Sequence, residues 1–241
     1  MTPETPASAS FGGTAVSPGE RRRRIRGVFE AIAPRYDLMN DLMSFGIHRL
    51  WKRTLARRCE DYRGIVVDLA GGTGDMAARL CAEGRTVIVC DPSWAMMSVG
   101  RRRGIPAVWS AGEAERLPFA SASVDLLTLS FGLRNTTEIG AALAEIHRVL
   151  KPGGCFACLE FSRPAWWLAP VYDRYSRLVI PRLGAAVAGR PEAYTYLIES
   201  IRRFPDQQAL AATLSATGFQ SVHWENLSFG IACIHYARRS P

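Results

Sequence analysis

Residues 65–75, Ile65-Val66-Val67-Asp68-Leu69-Ala70-Gly71-Gly72-Thr73-Gly74-Asp75, form a short apolar run that ends at a carboxylate and then breaks into small residues. Branched apolar residues favour a buried strand, and glycines allow a tight turn whose backbone can approach a ligand closely. Thr73 is a residue type that caps helices, so a helix is expected to follow through Leu80. The stretch therefore predicts a strand, a turn and a helix start, an arrangement that suits a nucleoside ligand.

The spacing of these small residues separates two kinds of nucleotide pocket. Dinucleotide-binding folds use Gly-x-Gly-x-x-Gly, and a Walker loop needs Lys-Ser or Lys-Thr after its glycines, which this stretch lacks. Here the small residues fall at every second position, Asp68-x-Ala70-x-Gly72-x-Gly74. This spacing resembles motif I of class I S-adenosylmethionine (SAM) dependent methyltransferases. An ordinary glycine-rich turn would contain similar residues, so the later strands must decide between the two.

The composition indicates one α/β domain with an accessory segment. The chain has 241 residues, of which 48% are hydrophobic and 22% charged, and this length is too short for two full enzymes. No apolar run is long enough to cross a bilayer, and the first residues lack the apolar core of a secretory signal. We expect a cytoplasmic protein that is soluble or peripheral on the inner face of the membrane.

The charge balance predicts an anionic partner surface. Thirty Lys and Arg residues against 22 Asp and Glu give a net charge of +8, and many of the arginines cluster near residues 21–26 and 101–103. They are not interleaved with an RNA-binding signature, so we expect no nucleic-acid partner and favour an acidic lipid surface. Arginines that serve only solubility would give the same balance.

Six scattered cysteines predict a reducing compartment. Cys155 and Cys158 have the spacing of a metal or redox pair, but they lie in a predicted strand, where alternation points the two thiols to opposite faces. We therefore expect buried, unreactive thiols and no metal site.

Strand and helix patterns alternate along the rest of the chain, as a doubly wound sheet requires. Predicted strands cover residues 86–91, 107–110 and 124–130, followed by a helix over 138–150 and a glycine turn over 150–154 that leads into a strand ending near Glu160. Two late runs, 221–227 and 231–236, would close the sheet as a hairpin-like pair. Right-handed crossovers place the carboxyl ends of the parallel strands on one edge, where we expect Asp68, Asp91, Glu113 and Ser130.

Asp91 ends the second strand, where a carboxylate can accept hydrogen bonds from both ribose hydroxyls. It could also cap the helix that begins near Pro92, a role that is compatible with binding.

The chain divides into three predicted parts. Residues 1–19 have too little apolar material to pack and predict a disordered tail in which Phe11 docks locally. Residues 20–62 predict an N-terminal helical lid, which starts with a basic amphipathic helix over 20–32. Residues 63–241 predict the catalytic domain, with an aromatic helical insertion over 164–203 on the substrate side.

Several segments together resemble the ubiquinone/menaquinone biosynthesis C-methyltransferase family over about residues 20–236. The resemblance implies a class I SAM-methyltransferase, Rossmann-like fold with a seven-stranded, mostly parallel sheet and helices on both faces. The matching segments are Tyr36-Asp37-Leu38-Met39-Asn40-Asp41, Ala70-Gly71-Gly72-Thr73-Gly74-Asp75, Ser130-Phe131-Gly132-Leu133-Arg134-Asn135, Leu159-Glu160-Phe161-Ser162-Arg163-Pro164, Tyr194-Thr195-Tyr196-Leu197-Ile198-Glu199-Ser200-Ile201-Arg202, Phe204-Pro205-Asp206-Gln207 and Asn226-Leu227-Ser228-Phe229-Gly230-Ile231.

The resemblance implies methyl transfer from SAM to a ring carbon of a polyprenylated quinol. The acceptor would be 2-polyprenyl-6-methoxy-1,4-benzoquinol, demethylmenaquinol or both. Glu113 departs from the Asp or Asn that the family commonly has at this position, and Arg190 stands where many relatives have an acid. The implied SAM contacts are Gly72, Thr73, Asp91, Glu113, Ala114 and Ser130.

Methyl transfer from a sulfonium needs placement more than covalent help, because the donor is already activated. Deprotonation of a quinol hydroxyl makes the ring carbon nucleophilic, so a cation or amide donor near the phenolate oxygen would lower the barrier. Arg134 and Asn135, which follow the fourth strand, are the candidate catalytic residues. A structural pairing of Arg134 with Glu160 or Asp75 is the alternative. The proton acceptor stays open among Tyr36, Asp37, His48 and a bound water.

The expected partners follow from this chemistry. They are the polyprenylated quinol, an anionic membrane contacted through the basic helix with Trp166 and Trp167, and a quinone-biosynthesis complex or a homodimer. Two other functions keep the SAM pocket: methylation of a soluble phenol, a sterol-like lipid or RNA, and a non-catalytic SAM-binding role in a biosynthetic complex. A nicotinamide-dependent oxidoreductase has the least support.

Overall fold

The computed structural model describes residues 10–11, 14–176, 178 and 191–241. The strands are β1 (Ser10–Phe11), β2 (Thr14–Ala15), β3 (Gly64–Leu69), β4 (Arg85–Asp91), β5 (Val108–Ala111), β6 (Val124–Ser130), β7 (Leu150–Phe161), β8 (Gln220–Leu227) and β9 (Ala232–Arg238). The helices are α1 (Pro18–Ile32), α2 (Tyr36–Ser44), α3 (Ile47–Arg58), α4 (Asp75–Leu80), α5 (Trp94–Arg102), α6 (Ile139–Val149), α7 (Pro191–Arg203) and α8 (Gln207–Ala216).

Seven strands form one mostly parallel sheet in the order β5-β4-β3-β6-β7-β9-β8. Strands β3 to β7 run parallel, whereas β9 is antiparallel to both β7 and β8. The order reverses between β3 and β6, and such a switch point opens a crevice at the carboxyl ends of the strands. This topology confirms the predicted fold class and fixes where a ligand can enter.

An apolar layer covers each face of the sheet, because successive strand residues point to opposite sides. Val67 packs with α6 and α8 on one face, and its neighbour Val66 packs with α3 and α4 on the other. Cys155 and Cys158 fall in these two different layers, which confirms the predicted alternation. All six cysteines are free thiols, and the described residues contain no cluster of three metal-ligating side chains.

The N-terminal residues differ from the predicted tail over 1–19. Helix α1 begins at Pro18, because Ser17 caps it by accepting a hydrogen bond from the Glu20 backbone N–H. Phe11 is buried and stacks on Tyr196 of α7 at a ring-centre distance of 4.8 Å. Residues 1–9 and 12–13 lie outside the described part of the chain.

The glycine turn predicted over 150–154 belongs to β7 instead. Leu150 pairs with Val124, and the register then shifts, so that Cys155 pairs with Leu126. Gly153 has a φ of +76°, and this bulge accommodates the extra residues. Strands β8 and β9 form the predicted closing pair.

The predicted insertion over 164–203 is described at its two ends. Residues 169–176 are helical, and α7 covers its end. Arg190 lies outside the described residues. Within the described ranges, no helix combines the length and apolarity that a membrane span requires.

Candidate active site

One cavity lies at the carboxyl ends of β3, β4 and β6, where the sheet order reverses. Helix α1 contributes to its wall through Arg22, Ile25, Arg26 and Phe29. The structure brings together at this cavity all of the residues predicted to bind the cofactor, which are Gly72, Thr73, Asp91, Glu113, Ala114 and Ser130.

The glycine turn after β3 brings the backbone close to this cavity. Gly72 and Gly74 both have positive φ, and a Cβ on Gly71 would lie 2.7 Å from a carboxylate oxygen of Asp68. Helix α4 begins after Gly74 without a side-chain cap, so the predicted capping role of Thr73 is wrong. The Thr73 hydroxyl instead donates to Asp37 Oδ1 at 3.0 Å, which ties the turn to α2.

Asp91 anchors the same turn from the end of β4. Its Oδ2 accepts from the Gly72 N–H at 2.9 Å and its Oδ1 from the Ser93 N–H at 2.7 Å. Burial raises the pKa of Asp91 to about 6, against the opposing effect of these backbone hydrogen bonds. Ser93, and not Asp91, accepts the capping hydrogen bond at the start of α5. Each Asp91 oxygen retains acceptor capacity for a ligand hydroxyl.

Three buried polar atoms at the cavity wall have no hydrogen-bond partner within the described ranges: Asp68 Oδ2, Ser130 Oγ and Thr137 Oγ1. A buried polar atom without a partner costs about 1–3 kcal/mol, so such atoms point to a polar ligand. Burial also raises the pKa of Asp68 to about 7. Carboxylate and hydroxyl groups beside an apolar strand end suit the ribose, amino and adenine groups of SAM, so the residues fit this cofactor.

Glu113 links the cavity to helix α1. Its Oε1 lies 3.0 Å from an Arg26 guanidinium nitrogen, and both side chains are partly exposed. Such an exposed pair contributes about 0–1 kcal/mol, so it closes the cavity only weakly.

A second, apolar cavity adjoins the first. Tyr36 and Phe131 line both cavities, so the two meet at these rings. Phe131 has a φ of +60°, a backbone conformation that is uncommon for a bulky residue and is often found at functional sites. The wall of the second cavity includes residues of α2, α3 and the turn between them, the end of β7, the predicted insertion and the 228–231 segment: Met43, Phe45, His48, Trp51, Phe161, Leu168, Tyr172, Tyr175, Leu197 and Ile231.

Arg134 lines this second cavity and pairs with Glu160. One guanidinium nitrogen lies 3.1 Å and 2.9 Å from the two carboxylate oxygens, and both side chains are almost fully buried. The pairing with Glu160 that sequence left as an alternative is therefore present. Asp75, the other partner considered, pairs with Lys52 at 3.0 Å. The catalytic role of Arg134 stays a prediction.

Asn135 lies on the other side of the same turn and lines the first cavity. Its Oδ1 accepts from the Tyr196 hydroxyl at 2.9 Å. Arg21 of α1 donates to backbone carbonyls of this turn. Sequence reasoning did not identify Arg21 or Tyr196, because Arg21 is one of a run of similar arginines and Tyr196 lies far along the chain.

The three side chains considered as proton acceptor differ in position. Asp37 accepts from Thr73, pairs with Arg103 and is absent from both cavity walls, whereas Tyr36 and His48 line the second cavity. Burial and the nearby Lys52 charge lower the pKa of His48 to about 4, so its ring is neutral at physiological pH. Its Nδ1 lies 2.8 Å from the Ser44 hydroxyl oxygen.

Comparison with known proteins relates this geometry to one family. A model described as the ubiE/COQ5 methyltransferase family matches residues 18–239. A relative in Rubrivivax gelatinosus named ubiquinone/menaquinone biosynthesis C-methyltransferase UbiE is 62% identical over 242 residues, covering 100% of this chain and 96% of the relative. A protein of the same name in Caulobacter vibrioides is 47% identical and covers 95% of this chain and 96% of its own length.

Solved structures support the fold alone. A SAM-dependent methyltransferase of Thermotoga maritima superposes with a TM-score of 0.65 at 20% identity, over 90% of this chain and 100% of that one. Phosphoethanolamine N-methyltransferase 2 of Haemonchus contortus in complex with SAM gives a TM-score of 0.61 at 13% identity, over 79% of this chain and 52% of that one.

Proposed function

The chain belongs to the ubiE/COQ5 methyltransferase family and is a SAM-dependent C-methyltransferase of ubiquinone and menaquinone biosynthesis, and we propose how its two cavities divide the reaction. The first cavity, whose wall carries the unpartnered polar atoms, holds SAM, and the second, apolar cavity holds the ring of a polyprenylated quinol. The acceptor is 2-polyprenyl-6-methoxy-1,4-benzoquinol, demethylmenaquinol or both. The observation that carries this division is that the two cavities meet at Tyr36 and Phe131, where a methyl group could pass between them.

Residues at the sheet edge would hold the cofactor. Asp91 has free acceptor capacity for ribose hydroxyls, and Ser130 and Asp68 offer polar atoms that lack protein partners within the described ranges. Glu113 and Ala114 lie at the same wall, where Glu113 can accept from an adenine amino group. When bound, SAM supplies an electrophilic methyl group, so the protein need only place the acceptor carbon in line with it.

Arg134 would stabilise the negative charge that develops on the quinol oxygen. Its guanidinium carbon lies 5.4 Å from the centre of the Phe161 ring, and both residues line the apolar cavity. Glu160 fixes the orientation of the guanidinium group, and the buried pair is neutral overall. The guanidinium therefore does not have to reorient when negative charge develops on the quinol oxygen. Asn135 would hold the turn between the two cavities through its hydrogen bond with Tyr196.

His48 is the side chain that we propose as proton acceptor. It lines the apolar cavity, and its ring is neutral at physiological pH, with nitrogen lone-pair capacity for a proton. Its low pKa makes it a weak base, so proton transfer would depend on Arg134 stabilising the phenolate that forms.

The mouth of the apolar cavity would face a membrane, because the isoprenoid tail of the quinol partitions into lipid. Phe45, Trp166 and Phe229 are 75%, 86% and 68% exposed, and Phe45 lines the cavity itself. The Trp167 and Phe229 rings lie 5.1 Å apart, so the segment that follows β7 contacts the 228–231 segment. Arg163, three residues before Trp166, is also well exposed and lies 3.6 Å from an Asp206 carboxylate oxygen. Residence in the cytoplasm and assembly into a complex or homodimer stay predictions from the resemblance.

The function is tested with purified protein, SAM and short-tailed forms of both quinols kept reduced. We expect the ring to gain one methyl group, observed by mass spectrometry, and the cofactor to become S-adenosylhomocysteine. Soluble phenols, a sterol and RNA serve as competing acceptors. Binding of S-adenosylhomocysteine without methylation of either quinol would favour a non-catalytic SAM-binding protein.

Flotation with anionic vesicles tests the membrane contact. Replacing Phe45 and Trp166 by serine should reduce binding, whereas Trp94→Ser, which removes a 57% exposed aromatic on α5, should not. Equal flotation of the wild type, the Phe45 and Trp166 double variant and Trp94→Ser would contradict the proposed surface.

A further inference from the structure

Helix α1 places one buried charge against the turn that separates the two cavities. Arg21 is only 4% exposed, whereas Arg22, Arg23 and Arg24, which follow it, are exposed. No acidic partner of Arg21 is found within the described ranges, and its Nε is buried without a hydrogen bond there. A buried cation with this environment needs a specific explanation.

The partners of Arg21 are three successive backbone carbonyls. One terminal nitrogen donates to Thr136 O at 2.6 Å and to Asn135 O at 3.4 Å, and the other donates to Arg134 O at 3.3 Å. These carbonyls end the short 3-10 helix Leu133–Asn135. Carbonyls at a helix end lack hydrogen-bond partners within the helix and carry partial negative charge. A guanidinium both donates hydrogen bonds to them and offsets that charge.

The turn that Arg21 holds contributes to both cavities. Asn135, Thr136 and Thr137 line the first cavity, and Arg134 lines the second. Helix α1 itself covers the first cavity. Arg21 therefore connects the helix over the first cavity with a turn whose residues line both cavities.

A second polar link between α1 and the cavity wall is weaker. Arg26 and Glu113 form an exposed pair, which solvent screens. Helix α1 also makes apolar contacts, through residues such as Ile25 and Ile32. These are non-directional and do not set the position of the turn.

We propose that Arg21 is a positioning residue that couples closure of α1 over the cofactor to the placement of Arg134 and Asn135. It touches neither reacting group, and acts through the backbone of residues 134–136. The catalytic part of this inference rests on the proposed function, whereas its effect on cofactor affinity does not.

The test compares Arg21→Ala, Arg21→Gln and Arg21→Lys with Arg23→Ala, which removes the same charge from an exposed position of the same helix. The readouts are the calorimetric affinity for S-adenosylhomocysteine, kcat and the KM for SAM with a short-tailed quinol, and amide hydrogen exchange of residues 133–137. All are measured well below the unfolding temperature of each variant.

For Arg21→Ala and Arg21→Gln we expect affinity for S-adenosylhomocysteine to fall about 10- to 100-fold, because a charged hydrogen-bonding group is removed. kcat should fall as well, and exchange of residues 133–137 should accelerate. Arg21→Lys should recover part of each loss, and Arg23→Ala should match the wild type. If Arg21→Ala is too unstable to purify, the Gln and Lys variants decide.

Wild-type affinity and kcat in the Gln variant would overturn the inference. A second result would also overturn it: activity falls only in proportion to the folded fraction of the variant, and the KM for SAM and the hydrogen exchange of residues 133–137 stay unchanged. If the wild-type protein binds S-adenosylhomocysteine but methylates no quinol, the proposed function fails, and affinity and hydrogen exchange still decide the role of Arg21.

Discussion

The role of Arg134 can be separated from its contribution to stability, because its partner is known. Arg134 and Glu160 have 6% and 1% of their side-chain surface exposed. Removing the arginine alone leaves a buried carboxylate unpaired, which costs about 3–5 kcal/mol. This is a large part of the about 5–15 kcal/mol that keeps a domain folded, so an inactive Arg134→Ala variant would be ambiguous.

The double variant Arg134→Met, Glu160→Gln avoids this ambiguity. Methionine replaces the arginine stem. Glutamine keeps one acceptor oxygen for one of the two backbone N–H groups, those of Arg134 and Phe161, that the two Glu160 oxygens now bind. Replacing a whole buried ion pair is often close to neutral, so we expect stability within about 2 kcal/mol of the wild type. If Arg134 stabilises the quinol oxyanion, kcat should fall about 100- to 1,000-fold.

Three measurements check this prediction. Urea unfolding gives the change in stability, and calorimetry gives the affinity for S-adenosylhomocysteine, which should be unchanged because Arg134 lines the second cavity only. Initial rates with a short-tailed quinol give kcat. Glu160→Gln alone keeps the cation and is the control for the loss of the carboxylate. Its rate is divided by the folded fraction from urea unfolding, because this variant leaves the buried arginine unpaired. A stable double variant with wild-type kcat would refute the oxyanion role of Arg134.

Three further variants test the glycine turn at the first cavity, the close packing of Gly132 and the loss of stability at low pH. Asp91→Ala should weaken S-adenosylhomocysteine binding by about 10-fold or more in calorimetry, because it removes the proposed ribose acceptor and the anchor of Gly72; an unchanged Kd would place the ribose elsewhere. Gly132→Ala should lower the free energy of urea unfolding by about 1–3 kcal/mol, because its Cβ would lie 2.5 Å from that of Ala70, and Gly140→Ala, which meets nothing within 4 Å, is the control. The pKa of His48 is about 4 in the folded protein and 6.5 in the reference state, so the unfolded chain takes up its proton first and stability falls as the pH drops from about 6.5 towards 4. His48→Gln should therefore lose less unfolding free energy than the wild type between pH 7 and pH 5, and parallel losses would show that His48 is not the group responsible.

The central strands and the edge at which they end could be predicted from local patterns. The apolar runs that end at Asp68 and Asp91 alternate with helices, and right-handed crossovers then force their carboxyl ends to one edge. The predicted cofactor residues consequently line one cavity, although their contacts with SAM stay predictions. Local features were less predictable, since Thr73 bonds to Asp37 instead of capping α4.

The sequence by itself determined the sheet, its ligand edge and the family resemblance, because periodicity, glycine spacing and motif residues act over short distances along the chain. The tertiary structure decided which charged groups are buried and which groups they bind. Arg21 meets carbonyls 113 to 115 residues away, and Arg134 meets Glu160 across 26 residues. Neighbouring arginines are equivalent in sequence, and only the packing of α1 against the sheet edge removes one of them from water and gives it a specific partner.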